Sequence, residues 1–321
     1  MLKVGLIGAG YLGKIHLRLL HTMSDIQFMG FYDSDGENTQ TLIDTYKTPH
    51  YNTEADLMNA CDAVVIATPT KTHFEYVKRC LEADKHVFVE KPATAEVYEA
   101  ASLMQVVAGK NLMVQVGMVE RFNQAFRVVE PMFADKPLKK IFCNRLAPFT
   151  PRGADVSVVM DVMIHDIDIV LKLVKSEIKQ ITAFGQKLGS ETFDLATAHI
   201  VFENGCTAHF TASRKAERKY RITEVFTEDK IYQIDFLHKK TSVFGLKEGF
   251  SGSLEEEYLN FPHSHVTEEK LLVEDTNAIG EELKSFVNSI VNNKKVVVSL
   301  DDGIRAMQLA GEIEQIMAHH R

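Results

Sequence analysis

Leu2-Lys3-Val4-Gly5-Leu6-Ile7 runs straight into Gly8-Ala9-Gly10-Tyr11-Leu12-Gly13, and this stretch decides how the first third of the chain is read. The apolar run predicts a buried parallel strand. The three glycines then take separate tasks: a tight turn at Gly8, close approach of a pyrophosphate at Gly10 and close helix packing at Gly13. Residues 11–21 predict a helix whose amino end, with Tyr11 and Leu12, faces the phosphates. The next apolar run, 26–32, ends at Asp33, the offset at which an acid meets a ribose 2′-hydroxyl. A GxGxxG alone is weak evidence; a strand before it, a helix after it and this acid together make a dinucleotide site. The segment Asp33-Ser34-Asp35-Gly36-Glu37 holds no lysine or arginine, so a 2′-phosphate would meet like charge there. NAD is therefore expected rather than NADP.

Working outward, short apolar runs at 3–8, 27–32, 63–67, 86–89 and 112–117 alternate with helical patterns. This predicts an α/β fold, a Rossmann doubly wound parallel sheet. The chemically informative residues fall at strand carboxyl ends, where such sheets bind ligands: Gly8, Asp33, Thr68-Pro69, Glu90-Lys91-Pro92 and Arg121. Lys91 so placed can reach a bound nicotinamide. After a helix predicted over 123–133, the pattern changes to longer alternating runs at 178–187, 196–202, 206–213, 220–226 and 230–236. These predict an α+β domain with an open-faced, mostly antiparallel sheet. The expected division is 1–120 for cofactor binding and 121–321 for substrate binding and oligomerisation. Helices are expected at 281–292 and 302–318, the last packing back on the first domain, and 248–265 reads as a polar surface excursion.

The 321 residues, 45% of them hydrophobic, supply enough material for two cores. A net charge of −8 argues against a nucleic-acid partner. No apolar stretch suits a bilayer and the amino end lacks a secretory pattern, so no membrane partner is expected and cytoplasm is the expected compartment. Cys61, Cys80, Cys143 and Cys206 are scattered without metal-ligand spacing and read as reduced thiols in or near cores. The basic cluster 214–221 reads as a solvated strand end, with contact to an anionic substrate as the alternative.

A second constellation lies at Asp161, His165, Asp168 and Lys172, whose spacings of four, three and four put them on one helix face. Two readings fit. An aspartate one turn before a histidine orients the imidazole and raises its basicity, as alcohol oxidation requires. A surface stripe with an ion pair has the same spacing. One histidine with two carboxylates could also hold a divalent ion, but no further ligand is placed and no metal is expected. Arg121 and Arg152 offer planar paired donors to a diphosphate, or to a salt bridge; Arg145 sits inside a predicted strand.

Gly8-Ala9-Gly10-Tyr11-Leu12-Gly13 with His16, Ala67-Thr68-Pro69-Thr70 with His73, Glu90-Lys91-Pro92, and the Asp161/His165 pair occur in an order that resembles the Gfo/Idh/MocA oxidoreductases (glucose-fructose oxidoreductase, inositol dehydrogenase, MocA) along essentially the whole chain. The resemblance implies an NAD-dependent dehydrogenase acting on CH–OH groups. It implies cofactor contacts at Thr68, Pro69, His73, Glu90 and Lys91 beside those of the glycine loop and Asp33. It places Lys91 near the nicotinamide and the reacting hydroxyl, makes Pro92 cis, and gives His165 the acid/base role with Asp161 as its partner. It also implies a homodimer or homotetramer built through the open-faced sheet. Gly117-Met118-Val119-Glu120-Arg121-Phe122-Asn123, Pro148-Phe149-Thr150-Pro151-Arg152 and 160–168 are similar to the UDP-N-acetylglucosamine 3-dehydrogenase branch. That similarity implies a nucleotide-sugar substrate contacted by Arg121, Asn123, Arg152, Asp161 and His165. A free sugar or inositol is the alternative substrate. A non-enzymatic NAD-binding regulator is the alternative of another class, and it has no need of Lys91, Asp161 and His165 together.

Overall fold

Short strands that are apolar on both faces make the first sheet, because helices cover both of its sides. The computed structural model describes every residue except 36–38, 135, 151, 152, 154, 261, 320 and 321. It divides into two units, Met1–Val119 with Asn277–Arg305 and Glu120–Thr276 with Ala306–Arg321. Among the described residues no helix is long and apolar enough to cross a membrane.

In the first unit the chain runs β1 (Leu2–Ile7), α1 (Tyr11–Thr22), β2 (Ile26–Tyr32), α2 (Thr39–Tyr46), α3 (Glu54–Ala60), β3 (Ala63–Ile66), α4 (His73–Glu82), β4 (His86–Glu90), α5 (Val97–Val107) and β5 (Val114–Gly117). The five strands are ordered β2-β1-β3-β4-β5 and all their pairings are parallel. All four residues of β3 and all four of β5 are buried. Thr53 caps α3 by accepting from the Asp56 N–H at 3.1 Å, and Glu96 and Glu99 form a capping box at the start of α5. Leu283, Phe286 and Val287, from a helix over Ala278–Val291, complete the core with Val4, Leu17 and Phe31. Phe286 meets Phe88 edge to face at 5.9 Å. Each such ring taken out of water contributes roughly 1.5–3 kcal/mol.

The second unit is built on β6 (Lys140–Leu146), β7 (Ile178–Gln186), β8 (Leu195–Phe202), β9 (Thr207–Ser213), β10 (Tyr220–Phe226), β11 (Ile231–Asp235), β12 (Lys240–Leu246) and β13 (Val266–Lys270). Its eight strands follow the order β13-β12-β11-β10-β6-β9-β8-β7. Only β6 with β9 is a parallel pair. Alternation is clean in β8, where Ala196, Ala198, Ile200 and Phe202 are buried and Thr197, His199 and Val201 lie on the other, half-exposed face. The helices are α6 (Gln124–Arg127), α7 (Ile164–Leu173), α8 (Leu254–Leu259), α9 (Ala278–Val291, in the first unit) and α10 (Leu300–His319, which begins in the first unit and continues in the second).

One expectation is corrected, and another gains detail. The helix expected over 123–133 breaks into α6 and a 3₁₀ turn, Glu130–Phe133, that carries Pro131 in its first turn; proline has no N–H to continue the helix before it. The polar segment 248–265 contains α8, capped by Ser253 accepting from the Glu256 N–H at 3.3 Å. The Glu255-Glu256-Glu257 run lies in its first turn, where acids meet the positive end of the helix dipole.

Candidate active site

At the carboxyl end of β1, Gly8 adopts φ +93°, and a Cβ there would lie 2.8 Å from the Ala67 backbone. A Cβ on Gly13 would run into the Gly8 carbonyl, so glycine is what lets α1 pack on the loop. Gly10 is different: a Cβ there would meet no atom within 4 Å. That open side, at the amino end of α1 where no side chain of Gly10 caps the helix, is a cradle that fits a diphosphate. One Asp33 carboxylate oxygen accepts from the Ala9 N–H; the other accepts from the Asp35 N–H at 2.7 Å. A cleft of about 740 Å³ is lined by Gly8, Gly10, Tyr11, Asp33, Thr68 and Pro69 among others, so six of the residues read as cofactor contacts converge on it. Lys14 and Arg18 line it as well. The sequence reading misses them because it looks for cations only after β2; their i, i+4 spacing on α1, continuing from Tyr11, is the signal that could have found them. Dinucleotide binding fits these residues.

β4 ends at Glu90, which is buried and meets His16 Nε2 at 2.6 Å through Oε1. Burial alone would raise the Glu90 carboxyl; the His16 contact and the Lys91 charge outweigh it and hold it below its ordinary value. The Lys91 N–H donates to Glu90 Oε2 at 3.3 Å, and the Lys91–Pro92 peptide is cis. His73 is buried too, with Nδ1 2.8 Å from the Pro92 carbonyl and Nε2 2.9 Å from the Thr68 carbonyl. Burial lowers its pKa. His73 and Glu90, expected at the cofactor, thus turn their polar atoms to the protein and shape the two loops, at Thr68 and Lys91, that carry site residues.

In the second unit Asp161 lies in a π-helical turn, Val159–Met163, and His165 is the second residue of α7. Asp161, His165 and Lys172 are half-buried, but Asp168 leaves the expected stripe. It is 1% exposed and takes two hydrogen bonds from Arg121, Nε to Oδ2 at 2.6 Å and Nη2 to Oδ1 at 2.7 Å. Arg121 is 3% exposed, so its paired donors are spent inside the unit rather than offered to a diphosphate. Asn123 is likewise internal: Oδ1 caps α6 by accepting from the Ala125 N–H, and Nδ2 donates to Glu120 at 2.9 Å and to the Phe236 carbonyl at 3.0 Å. Arg145 donates from Nη2 to Asp166 and from Nη1 to Glu120, both at 2.7 Å, with all three side chains buried. Arg214, read as part of a solvated strand end, is 6% exposed and pairs with Asp194 at 2.7 Å. Arg152 lies outside the described residues. The four cysteines are free and buried; burial pushes the Cys61 and Cys80 thiols up to about 12 and Cys206 to about 11, which leaves them chemically quiet. Among the described residues no group of three or more His, Cys, Asp or Glu could hold a metal ion.

Residues 2–118 match the profile of an oxidoreductase family with an NAD-binding Rossmann fold, GFO/IDH/MocA, and residues 144–236 match the GFO/IDH/MocA C-terminal domain. The chain is 28% identical to UDP-N-acetylglucosamine 3-dehydrogenase of Acidithiobacillus ferrooxidans, over 97% of its own length and 96% of that protein's. A solved structure of that enzyme aligns with a TM-score of 0.91 at 27% identity, covering 99% of this chain and 98% of that one. Myo-inositol 2-dehydrogenase of Thermotoga maritima is 25% identical over 96% of this chain and 94% of that protein.

Proposed function

This chain belongs to the Gfo/Idh/MocA oxidoreductase family, and from that premise we propose that it oxidises the 3-hydroxyl of a nucleotide sugar of the UDP-N-acetylglucosamine class, with NAD as acceptor. The observation that carries the substrate is the similarity to the Acidithiobacillus enzyme, which extends over 97% of the chain and so includes the Asp161/His165 segment as well as the glycine loop.

The glycine loop and the amino end of α1 hold the cofactor diphosphate, and Asp33 takes the ribose hydroxyls. Bound NAD supplies a two-electron acceptor at its nicotinamide ring. Lys91 stabilises the alkoxide that develops as the substrate carbon is oxidised. His165 accepts the hydroxyl proton, and Asp161 steadies the imidazolium that results. The half-exposed face of the second sheet, where the His199 and His209 rings stack at 4.2 Å and Phe184 is 51% exposed, serves a homodimer or homotetramer. A monomer in sedimentation would remove that assignment.

A second reading is dehydrogenation of an inositol or free sugar. The occupation of Arg121 by Asp168 favours it, since one expected diphosphate ligand is withdrawn. The test is NADH formation, followed by near-ultraviolet absorbance, on adding UDP-N-acetylglucosamine, myo-inositol or scyllo-inositol to protein and NAD. We expect the nucleotide sugar to be turned over with the lowest KM. Turnover of an inositol alone would replace the first reading by the second, and silence with all three while NAD binds would favour a regulator.

A further inference from the structure

Arg214 follows β9, and every N–H of its guanidinium is engaged. Nε donates to Asp194 Oδ1 at 2.7 Å, Nη1 to the Gly153 and Val156 carbonyls at 2.7 Å each, and Nη2 to the Phe193 carbonyl at 3.2 Å and to Thr192 Oγ1. A guanidinium has five such donors, so none remains for an anionic ligand. Asp194, 0% exposed, is held in turn by the N–H groups of Leu188 at 2.7 Å and Ser190 at 3.1 Å and by the Ser190 hydroxyl at 2.7 Å.

What this hub grips is the approach to Asp161. Besides the two carbonyls bound by Arg214, the Thr192 hydroxyl donates to Val156 at 3.2 Å and the Val158 N–H donates to Phe193 at 2.9 Å. Ser157 then starts the π-helical turn: its Oγ accepts from the Val159 N–H at 3.0 Å and its carbonyl accepts from the Asp161 N–H, also at 3.0 Å. Gly153, with φ +78°, sits where a Cβ would be 3.1 Å from Asp161 Oδ2, so the Asp161 carboxylate rests against the same loop.

We propose that Arg214 is a positioning residue for the reaction: through Gly153, Val156 and Val158 it fixes the loop that sets the Asp161 carboxylate. A buried arginine that used only its charge, against Asp194, would be replaceable by lysine. One that holds three backbone groups and a hydroxyl with a planar fork is not, because lysine has three donors on one atom. The inference rests on the catalytic role proposed for Asp161 and His165.

The test is Arg214→Lys, assayed with NAD and UDP-N-acetylglucosamine or, if that is not turned over, with the inositols. Displacement of a reacting group by about 1 Å costs roughly 10²-fold, so kcat should fall by about 10–100-fold while the KM for NAD stays within about twofold. The pH midpoint of kcat/KM should move in the same direction as in Asp161→Asn, and should not move in Leu254→Ala, which loosens the same unit elsewhere. Thr192→Val, which keeps the ion pair and deletes two of the hydrogen bonds, should fold whatever Arg214→Lys does and should lose several-fold in kcat with the same pH shift. A kcat for Arg214→Lys within twofold of the parent, or a loss without a shifted midpoint, overturns the inference. If Arg214→Lys fails to fold, the same result in Thr192→Val overturns it. An Asp161→Asn variant with unchanged turnover, or silence of the parent enzyme toward every probe, overturns the site reading and this inference with it; a crippled Asp161→Asn beside an intact Arg214→Lys overturns this inference alone.

Discussion

The glycine loop of the first unit and the charged interior of the second handle ligand chemistry in opposite ways. At Gly10 the missing side chain leaves the loop open, since a Cβ there would meet no atom within 4 Å, whereas Gly8 and Gly13 are glycine for the turn and for the packing of α1. In the second unit Arg121, Arg145 and Arg214 are all buried and matched with Asp168, Asp166 and Asp194. The difference teaches where charge serves a ligand and where it serves the fold: a site built from absent side chains stays open, whereas one built from arginines is open only if no carboxylate of the protein has already closed it.

The largest effect expected is at Lys91. Lys91→Met should lower kcat by roughly 10²–10⁴-fold, the usual contribution of acid/base and electrostatic groups, with NAD affinity largely kept; near-normal turnover would defeat the assignment. Next is the interior of the second unit. Arg145→Met strips Asp166 and Glu120 of their buried partner and should destabilise by about 3–5 kcal/mol in urea denaturation. A loss below about 1 kcal/mol would mean that these charges are solvated and the comparison is drawn too sharply.

The glycines give a smaller and more selective pair. Gly13→Ala should cost about 1–3 kcal/mol of stability, since the added methyl collides with the Gly8 carbonyl. Gly10→Ala should fold normally and weaken NAD binding by roughly tenfold, about 1.4 kcal/mol, as calorimetry can measure. Equal behaviour of the two would break the distinction between a glycine kept for packing and one kept for a ligand. The smallest effect concerns His73, whose folded pKa burial lowers. A lowered value means that the unfolded chain takes up the proton first. The stability contribution is therefore complete above the unfolded pKa of about 6.5 and is lost as pH falls toward the folded value. Thermal melts of His73→Gln should show a flatter decline through this window than the parent; identical curves would show that the ring titrates alike in both states.

The first unit was legible from sequence because its signals are local. β1 to β5 fall within two residues of the apolar runs, and the acid at the end of β2 and the lysine after β4 are fixed by the strands that carry them. The second unit was less so. Spacing puts Asp168 on the face of Asp161 and His165, but periodicity assumes a regular helix and cannot see a π-helical turn at Val159–Met163 or the Arg121 that draws Asp168 inside. The same blindness makes Arg121 and Asn123 read as ligands, since a donor's partner is set by tertiary contact and not by its neighbours in the chain. β13 is absent from the sequence reading for another reason: four of its five residues are exposed, and an edge strand rich in Glu and Lys looks like a solvated loop.

The central claim is a division of labour, cofactor binding by the glycine loop and proton transfer by Asp161 and His165. The most direct test is to measure NAD affinity by calorimetry and single-turnover NADH formation on the same preparations of the parent, His165→Ala and Asp161→Asn. The account predicts NAD dissociation constants within about twofold of one another beside a loss of roughly 10²-fold or more in NADH formation. Unchanged turnover, or affinity for NAD falling in step with it, would contradict the account.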